Sequence, residues 1–176
     1  MSESTKQKFQ GANAEGDLTG EERFREFMKT YFETAGRKED HEWTNTLAPY
    51  LKLGPVTASG PHPRVDFTFT VQPQHCNRLG NIHGGCIATL FDFCTSCPLA
   101  LVSKPGFWMY LGVSRTLNVT YLRPAPSGST VKIECEIVQI GQRLATIKGT
   151  MRRVEDDVII AVCEHGKFNT DPAVKA

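Results

Sequence analysis

The 176-residue chain has little that would mark a specialised class. Aromatic residues make up only 9%, and 20 Lys and Arg against 19 Asp and Glu leave a formal charge of +1. Phosphate neutralisation needs a marked basic excess, so general nucleic-acid or anionic-membrane binding is not expected. No apolar run reaching the ~20 residues of a bilayer span is read from the sequence. The first ten residues, MSESTKQKFQ, lack an apolar core segment and mix acid with base, unlike a secretory leader. The expected address is cytoplasmic, with mitochondrial as the alternative. No GxSxG elbow occurs, which disfavours a serine esterase on an α/β-hydrolase scaffold. Cys94-Thr-Ser-Cys97 has neither a second such pair nor an HxxH partner, so no metal site is expected.

What is present reads as one soluble domain. The hydrophobic fraction is 40%, and a chain of this size buries roughly 70% of its unfolded surface without disulfides or metals. Cys76, Cys86, Cys94, Cys97, Cys135 and Cys163 fall mostly in apolar segments and read as reduced core thiols. Residues 1–20 hold too few large apolar groups to offset chain entropy and read as a flexible tail. From Glu21 to Ala35, Phe24, Phe27, Met28, Tyr31 and Phe32 recur at offsets of three and four behind an acidic start, predicting an amphipathic helix.

Leu51 and Leu53 begin the strand signals, and Val65, Phe67, Phe69 and Val71 alternate with polar residues at period two. The same period places Val113, Arg115, Leu117, Val119 and Tyr121 on one face of a further strand, and Val131, Ile133, Cys135 and Ile137 on one face of the next. Two more strands are predicted near Arg143–Arg152 and Val158–Phe168, joined by Pro- and Gly-bearing turns that imply antiparallel pairing. Between the second and third strands, Cys86 to Cys94 is apolar nearly all round and predicts a buried helix, with Pro98 loosening its end. The class is α+β: a long central helix wrapped by an antiparallel sheet, plus an extra N-terminal amphipathic helix.

Two features point to chemistry. Asp92 is an acid in an otherwise apolar helix, and a buried carboxylate costs several kcal/mol unless paired. It is either a structural acid satisfied by its neighbours or a general base or nucleophile. The segment Asn77 to Gly85, ending in His83-Gly84-Gly85, opens the helix. Unsatisfied amides and the positive dipole end can hold a developing oxyanion there, while His83 alone could be no more than a cap.

The combination Asn77, His83-Gly84-Gly85 and Asp92, followed by Gly112-Val-Ser114 and Asn118-Val-Thr-Tyr121-Leu-Arg-Pro124, resembles the hotdog-fold acyl-CoA thioesterases of the PaaI-like superfamily over about residues 50–169. The resemblance implies hydrolysis of an acyl-CoA to free acid and CoA in dimers or dimers of dimers. It implies Asp92 as base or nucleophile, Gly84 and Asn77 polarising the carbonyl, His83 supporting the loop or the thiolate, and Ser114 positioning water or Asp92. No cofactor is implied, since coenzyme A is part of the substrate. The division is then a tail at 1–20, a helical extension at 21–49, a hotdog domain at 50–170 and a tail at 171–176.

Gly84 and Asp92 are eight residues apart, about 12 Å along a helix, whereas water and oxyanion must meet within roughly 3 Å of one carbon. Two antiparallel copies of the helix would set Asp92 of one chain opposite Gly84 of the other, with Gly85 and Ala88 small enough for close approach. For the CoA phosphates, six basic residues lie between Arg123 and Arg153 against Glu134 and Glu136. Arg123, Lys148 and Arg152, with Gly85, are the substrate-binding candidates. For the acyl group, Phe91, Phe93, Trp108, Tyr110 and the aromatics of the N-terminal helix are the candidates. Two readings stand beside hydrolysis: a hotdog dehydratase or hydratase using His83 and Asp92, and a non-catalytic acyl-CoA-binding regulatory module. A redox protein using Cys94 and Cys97 is a more distant one.

Overall fold

The computed structural model describes residues 20–35 and 43–172. The expected tail at 1–20 lies outside these but for Gly20. Helix α1 (Gly20–Thr34) is followed by strands β1 (Leu51–Thr57) and β2 (Arg64–Thr70), helices α2 (Gly84–Ser96) and α3 (Pro98–Val102), and strands β3 (Val113–Tyr121), β4 (Thr130–Ile140), β5 (Leu144–Arg153) and β6 (Ile159–Phe168). Short 3-10 turns at Trp43–Thr46, Ala48–Tyr50 and Pro73–His75 link them.

All six strands join one antiparallel sheet in the order β1-β2-β4-β5-β6-β3. The segment between β2 and β3 therefore crosses the sheet nearly from edge to edge, and α2 lies in that crossing. Val65, Phe67, Phe69, Val131, Ile133, Cys135 and Met151 are buried in one core with Ile87, Leu90, Phe91 and Cys94 of α2. Close approach depends on Gly149, where a Cβ would lie 2.8 Å from the Phe91 ring and 2.9 Å from the Thr95 methyl. At the end of α2 the Cys97 amide bonds the Cys94 carbonyl three residues back, and Pro98, which has no amide proton, is the first residue of α3. By length and composition the 19-residue run Gly84–Val102 is apolar enough to cross a membrane, longer than the apolar run read from the sequence. Its packing against the sheet makes it a core helix.

The N-terminal helix forms as its spacing predicts. Phe24, Met28 and Tyr31 are buried in the same core, Tyr31 stacks on Phe93 at 4.8 Å, and Arg23 donates to the Ser103 carbonyl at 3.1 Å. Asp171, at the start of the expected C-terminal tail, is buried and accepts the Met109 and Tyr110 amides at 2.6 and 3.2 Å. The six cysteines are free thiols, four of them buried. Burial pushes the Cys94 and Cys97 thiols well up, which leaves them poor thiolates for exchange.

β3 departs from simple alternation. A bulge between Ser114 and Thr116 sets Ser114 opposite Lys167 and Leu117 opposite His165, so Ser114 turns to the helix-facing side with Leu117, Val119 and Tyr121 instead of away from it. Strict period two had given that place to Arg115. A bulge inserts one residue and re-aims its neighbour, and composition does not announce it. Among the described residues β3 pairs on one side only, and Val113 and Tyr121 are exposed along it.

Candidate active site

The α2 start is built by its own loop. The Asn77 side-chain oxygen accepts the Leu79 and Asn81 amides at 2.9 and 3.3 Å, and Gly80 takes φ +74°, the left-handed conformation glycine adopts without steric cost. With its oxygen engaged, the Asn77 amide nitrogen is the group left to donate outward. His83 caps the helix by accepting the Gly85 amide on Nδ1 at 2.9 Å. One ring nitrogen is thus committed to the backbone, which weighs against His83 as the acid–base group of a hydratase. Tyr121 donates to the Gly84 carbonyl at 3.0 Å, tying β3 to the helix start. The Gly84 N–H, in the first turn, has no intrahelical acceptor.

Two turns further on, Ser114 Oγ donates to Asp92 Oδ1 at 2.5 Å. Asp92 itself is half exposed at 51%, contrary to the buried acid the helix composition suggests. The reason is geometric: the sheet covers one side of α2, and the side carrying Gly85 and Asp92 lies open in the protomer. Behind Ser114, His165 Nε2 sits 2.9 Å from Ser114 Oγ and 3.5 Å from Asp92 Oδ1. His165 Nδ1 is 2.6 Å from Thr95 Oγ1, which donates to the Phe91 carbonyl at 2.5 Å. Lys167, also buried, donates to Ser96 Oγ at 2.9 Å and reaches Ser114 Oγ at 3.5 Å.

The electrostatics follow from burial. Desolvation, then the Lys167 charge, push the His165 imidazole down to about 4 against a smaller opposing pull from Asp92. The ring is therefore neutral at pH 7. Desolvation likewise lowers Lys167, with Asp92 opposing it. With the Thr95 proton on the Phe91 carbonyl, His165 donates from Nδ1 and offers the Nε2 lone pair to Ser114. The one Ser114 proton then lies between a carboxylate oxygen and an imidazole nitrogen, a short path for moving a proton away from Asp92.

His165, Lys167, Thr95 and Ser96 were not singled out from the sequence. A signal was present: alternation along β6 puts His165 and Lys167 on the same face as Ala161 and Cys163, an ionisable pair where apolar residues belong. The CoA-phosphate candidates separate. Arg123 is exposed, donating to the Ile159 carbonyl at 3.3 Å, in the loop whose Ala125 accepts the Ile82 amide beside the helix start. Lys148 and Arg152 flank Gly149 and Met151, so they point to the opposite sheet face and are not brought near Asp92 in the protomer. There they line a charged cleft of about 390 Å³ with Arg64, Glu134 and Glu136, and Arg152 pairs with Glu134 at 3.1 Å. Nor do the expected acyl-pocket aromatics form a pocket of acyl size: Phe91 and Trp108 are fully buried core residues, and Phe93, packed on Tyr31, lines with it a crevice of only about 10 Å³. No cluster of three or more metal-ligating side chains occurs among the described residues.

Comparison with known proteins bears on the fold and the family it resembles. The Thioesterase superfamily model matches residues 79–160, from the helix-opening loop through β6's start. The chain is 33% identical over 97 residues to mouse acyl-coenzyme A thioesterase 13, covering 55% of this chain and 66% of that protein. Against the human protein of that name it is 29% identical over 116 residues, covering 65% and 80%. The crystal structure of thioesterase superfamily member 2 from Mus musculus superposes with a TM-score of 0.67 at 26% identity, covering 84% of this chain and 95% of that one. The E. coli PaaI protein, at 14% identity and a TM-score of 0.61 over 82% and 94%, shares the fold. With its six-stranded sheet, its helix packed across one face and these relatives, the chain has the hotdog fold and is similar to the thioesterase superfamily over residues 79–160.

Proposed function

We propose that this protein hydrolyses an acyl-CoA thioester at a site shared between two copies of the chain. The observation that carries the reading is Asp92: a carboxylate oriented by Ser114 at 2.5 Å yet half open to solvent, on the same helix as the oxyanion donor but too far along it to serve the same carbonyl. The open edge of β3 supplies the means of association, since an unpaired edge with exposed apolar side chains favours pairing with another strand. Two β3 edges joined antiparallel about a two-fold axis would continue the sheet and lay the two α2 helices side by side, head to tail.

The thioester carbonyl then accepts from the Gly84 N–H and the Asn77 amide of one copy. Asp92 of the other copy takes a proton from water as the water oxygen bonds to the carbonyl carbon. Charge passes to the carbonyl oxygen, which the two donors hold. Collapse breaks the carbon–sulfur bond, the electron pair leaves on the CoA sulfur, and the proton held by Asp92 returns to that thiolate. Ser114 orients the carboxylate, and neutral His165 can share its proton through the Ser114 hydroxyl. His83 keeps the loop in register, Gly85 permits close approach, and Arg123, at the same end of the helix, meets a CoA phosphate.

A panel of acyl-CoAs assayed for product acid by chromatography tests hydrolysis directly, and a hydratase would leave the thioester intact. Asp92→Asn should lower kcat by about 10²–10⁴ with the fold kept. Wild-type-like turnover would exclude Asp92 as base. Sharing is tested by mixing Asp92→Asn with Asn77→Ala: random dimers regain about a quarter of wild-type activity if the site is shared. No recovery in mixed dimers means that one chain holds the whole site.

A further inference from the structure

The aromatics of the core leave no room for an acyl group, but a cavity of about 710 Å³ opens beside the first two turns of α2. His83 and Gly85 stand at its helix end, next to the Gly84 amide. Apolar surface from Trp43, Leu47, Cys76 and Cys86 predominates in its walls, with the uncharged polar groups of Thr46, Gln74 and Thr89 among them. No Asp, Glu, Lys or Arg lines it. His75, buried in the wall and accepting the Gln72 amide on Nδ1, has its imidazole pushed below the usual range by burial and adds no charge at neutral pH. Cys86 is likewise pushed up to about 11 by burial and stays a thiol. The Trp43 indole spans the outer side, donating to Thr89 Oγ1 at 3.3 Å while remaining 80% exposed.

We propose that this cavity takes the acyl chain of the substrate and that Trp43 is its closing wall, a specificity-determining residue for linear acyl groups of medium length or longer. The assignment rests on the hydrolase reading above for the position of the carbonyl. Charge separates the two ends of an acyl-CoA. The phosphates need a cation, and Arg123 lies beyond Tyr121 on the β3 side of Gly84, whereas the uncharged walls suit hydrocarbon. Size agrees as well, since an apolar void of about 150 Å³ already accepts a benzene ring. Trp43 is held by one long hydrogen bond and little burial, so it can shift to cover a chain and bury its own ring in doing so.

The chain has two tryptophans, and Trp108 is fully buried, so a change in indole polarity reports on Trp43. The full-length protein is titrated with dodecanoate below its micelle concentration and, separately, with CoA. Dodecanoate should shift the emission to the blue and saturate, CoA should not, and Trp43→Phe should abolish the shift. In turnover, Trp43→Ala should raise KM for dodecanoyl-CoA by about tenfold and leave that for acetyl-CoA within about twofold. A shift with CoA and none with dodecanoate would put the thiol arm in the cavity and overturn the proposal. No shift with either ligand, or an equal rise in both KM values, would also overturn it. Because dodecanoate binding needs no turnover, a protein that shifts but hydrolyses no acyl-CoA keeps the cavity assignment and removes only the hydrolase reading.

Discussion

At the scale of single residues, the site turns on how few protons serve many contacts. Ser114 has one hydroxyl proton and faces Asp92, His165 and Lys167. Burial first, and then the Lys167 charge beside it, hold His165 neutral, so that the imidazole can accept rather than repel. Replacing Lys167 by Met removes the charge that opposes imidazole protonation. The His165 midpoint should then rise from about 4 toward the ordinary histidine value, read from its ring proton shifts by NMR titration. An unmoved midpoint would show that burial alone sets it. Ser114→Ala should lower kcat by roughly tenfold or more, through loss of carboxylate orientation, with KM little changed.

Among the elements, β3 is the one whose local irregularity matters. Its bulge carries Ser114 across to the helix side, and the same sequence paired without a bulge would present Ser114 to the other face. Deleting Arg115 should restore regular pairing with Ser114 two residues before Leu117, hence still on the helix side, and activity should be kept. Activity as low as that of Ser114→Ala in the deletion would mean that the bulge itself, and not only the face it gives Ser114, sets the Asp92 contact. The fit of α2 against β5 is tight by comparison. Gly149→Ala would force a methyl to 2.8 Å from Phe91, and such overpacking should cost about 1–3 kcal/mol of unfolding free energy, read as a lowered urea midpoint.

For the whole molecule, burying a neutral histidine ties stability to pH. The unfolded His165 binds its proton near pH 6.5 and the folded one only near about 4, so the unfolded state carries the extra proton between those values. Its contribution is complete above pH 6.5 and is lost as pH falls toward 4, about 3 kcal/mol in all. The unfolding free energy should decline across this window, and His165→Gln should flatten that part of the profile. An unchanged slope in the variant would assign the acid sensitivity of this window to other groups, while Glu134, whose carboxyl the Lys132 and Arg64 side chains hold low despite burial, loses its contribution only below about pH 4.5.

Period-two and period-3.6 patterning of apolar side chains, with Pro and Gly at the breaks, was enough by itself to determine the element order and the α+β class, because burial of one face acts residue by residue along the chain. The Asn77 to Asp92 segment was legible for the same reason: a cap, small residues and a lone acid are local features. The pairing of β3 with β6 rather than with its neighbours in sequence, the bulge that turns Ser114, the open side of α2 at Asp92, and the meeting of Ser114, His165 and Lys167 were decided only in the tertiary structure. These are contacts across dozens of residues, and their geometry depends on which strand lies beside which. No periodicity within one segment carries that information.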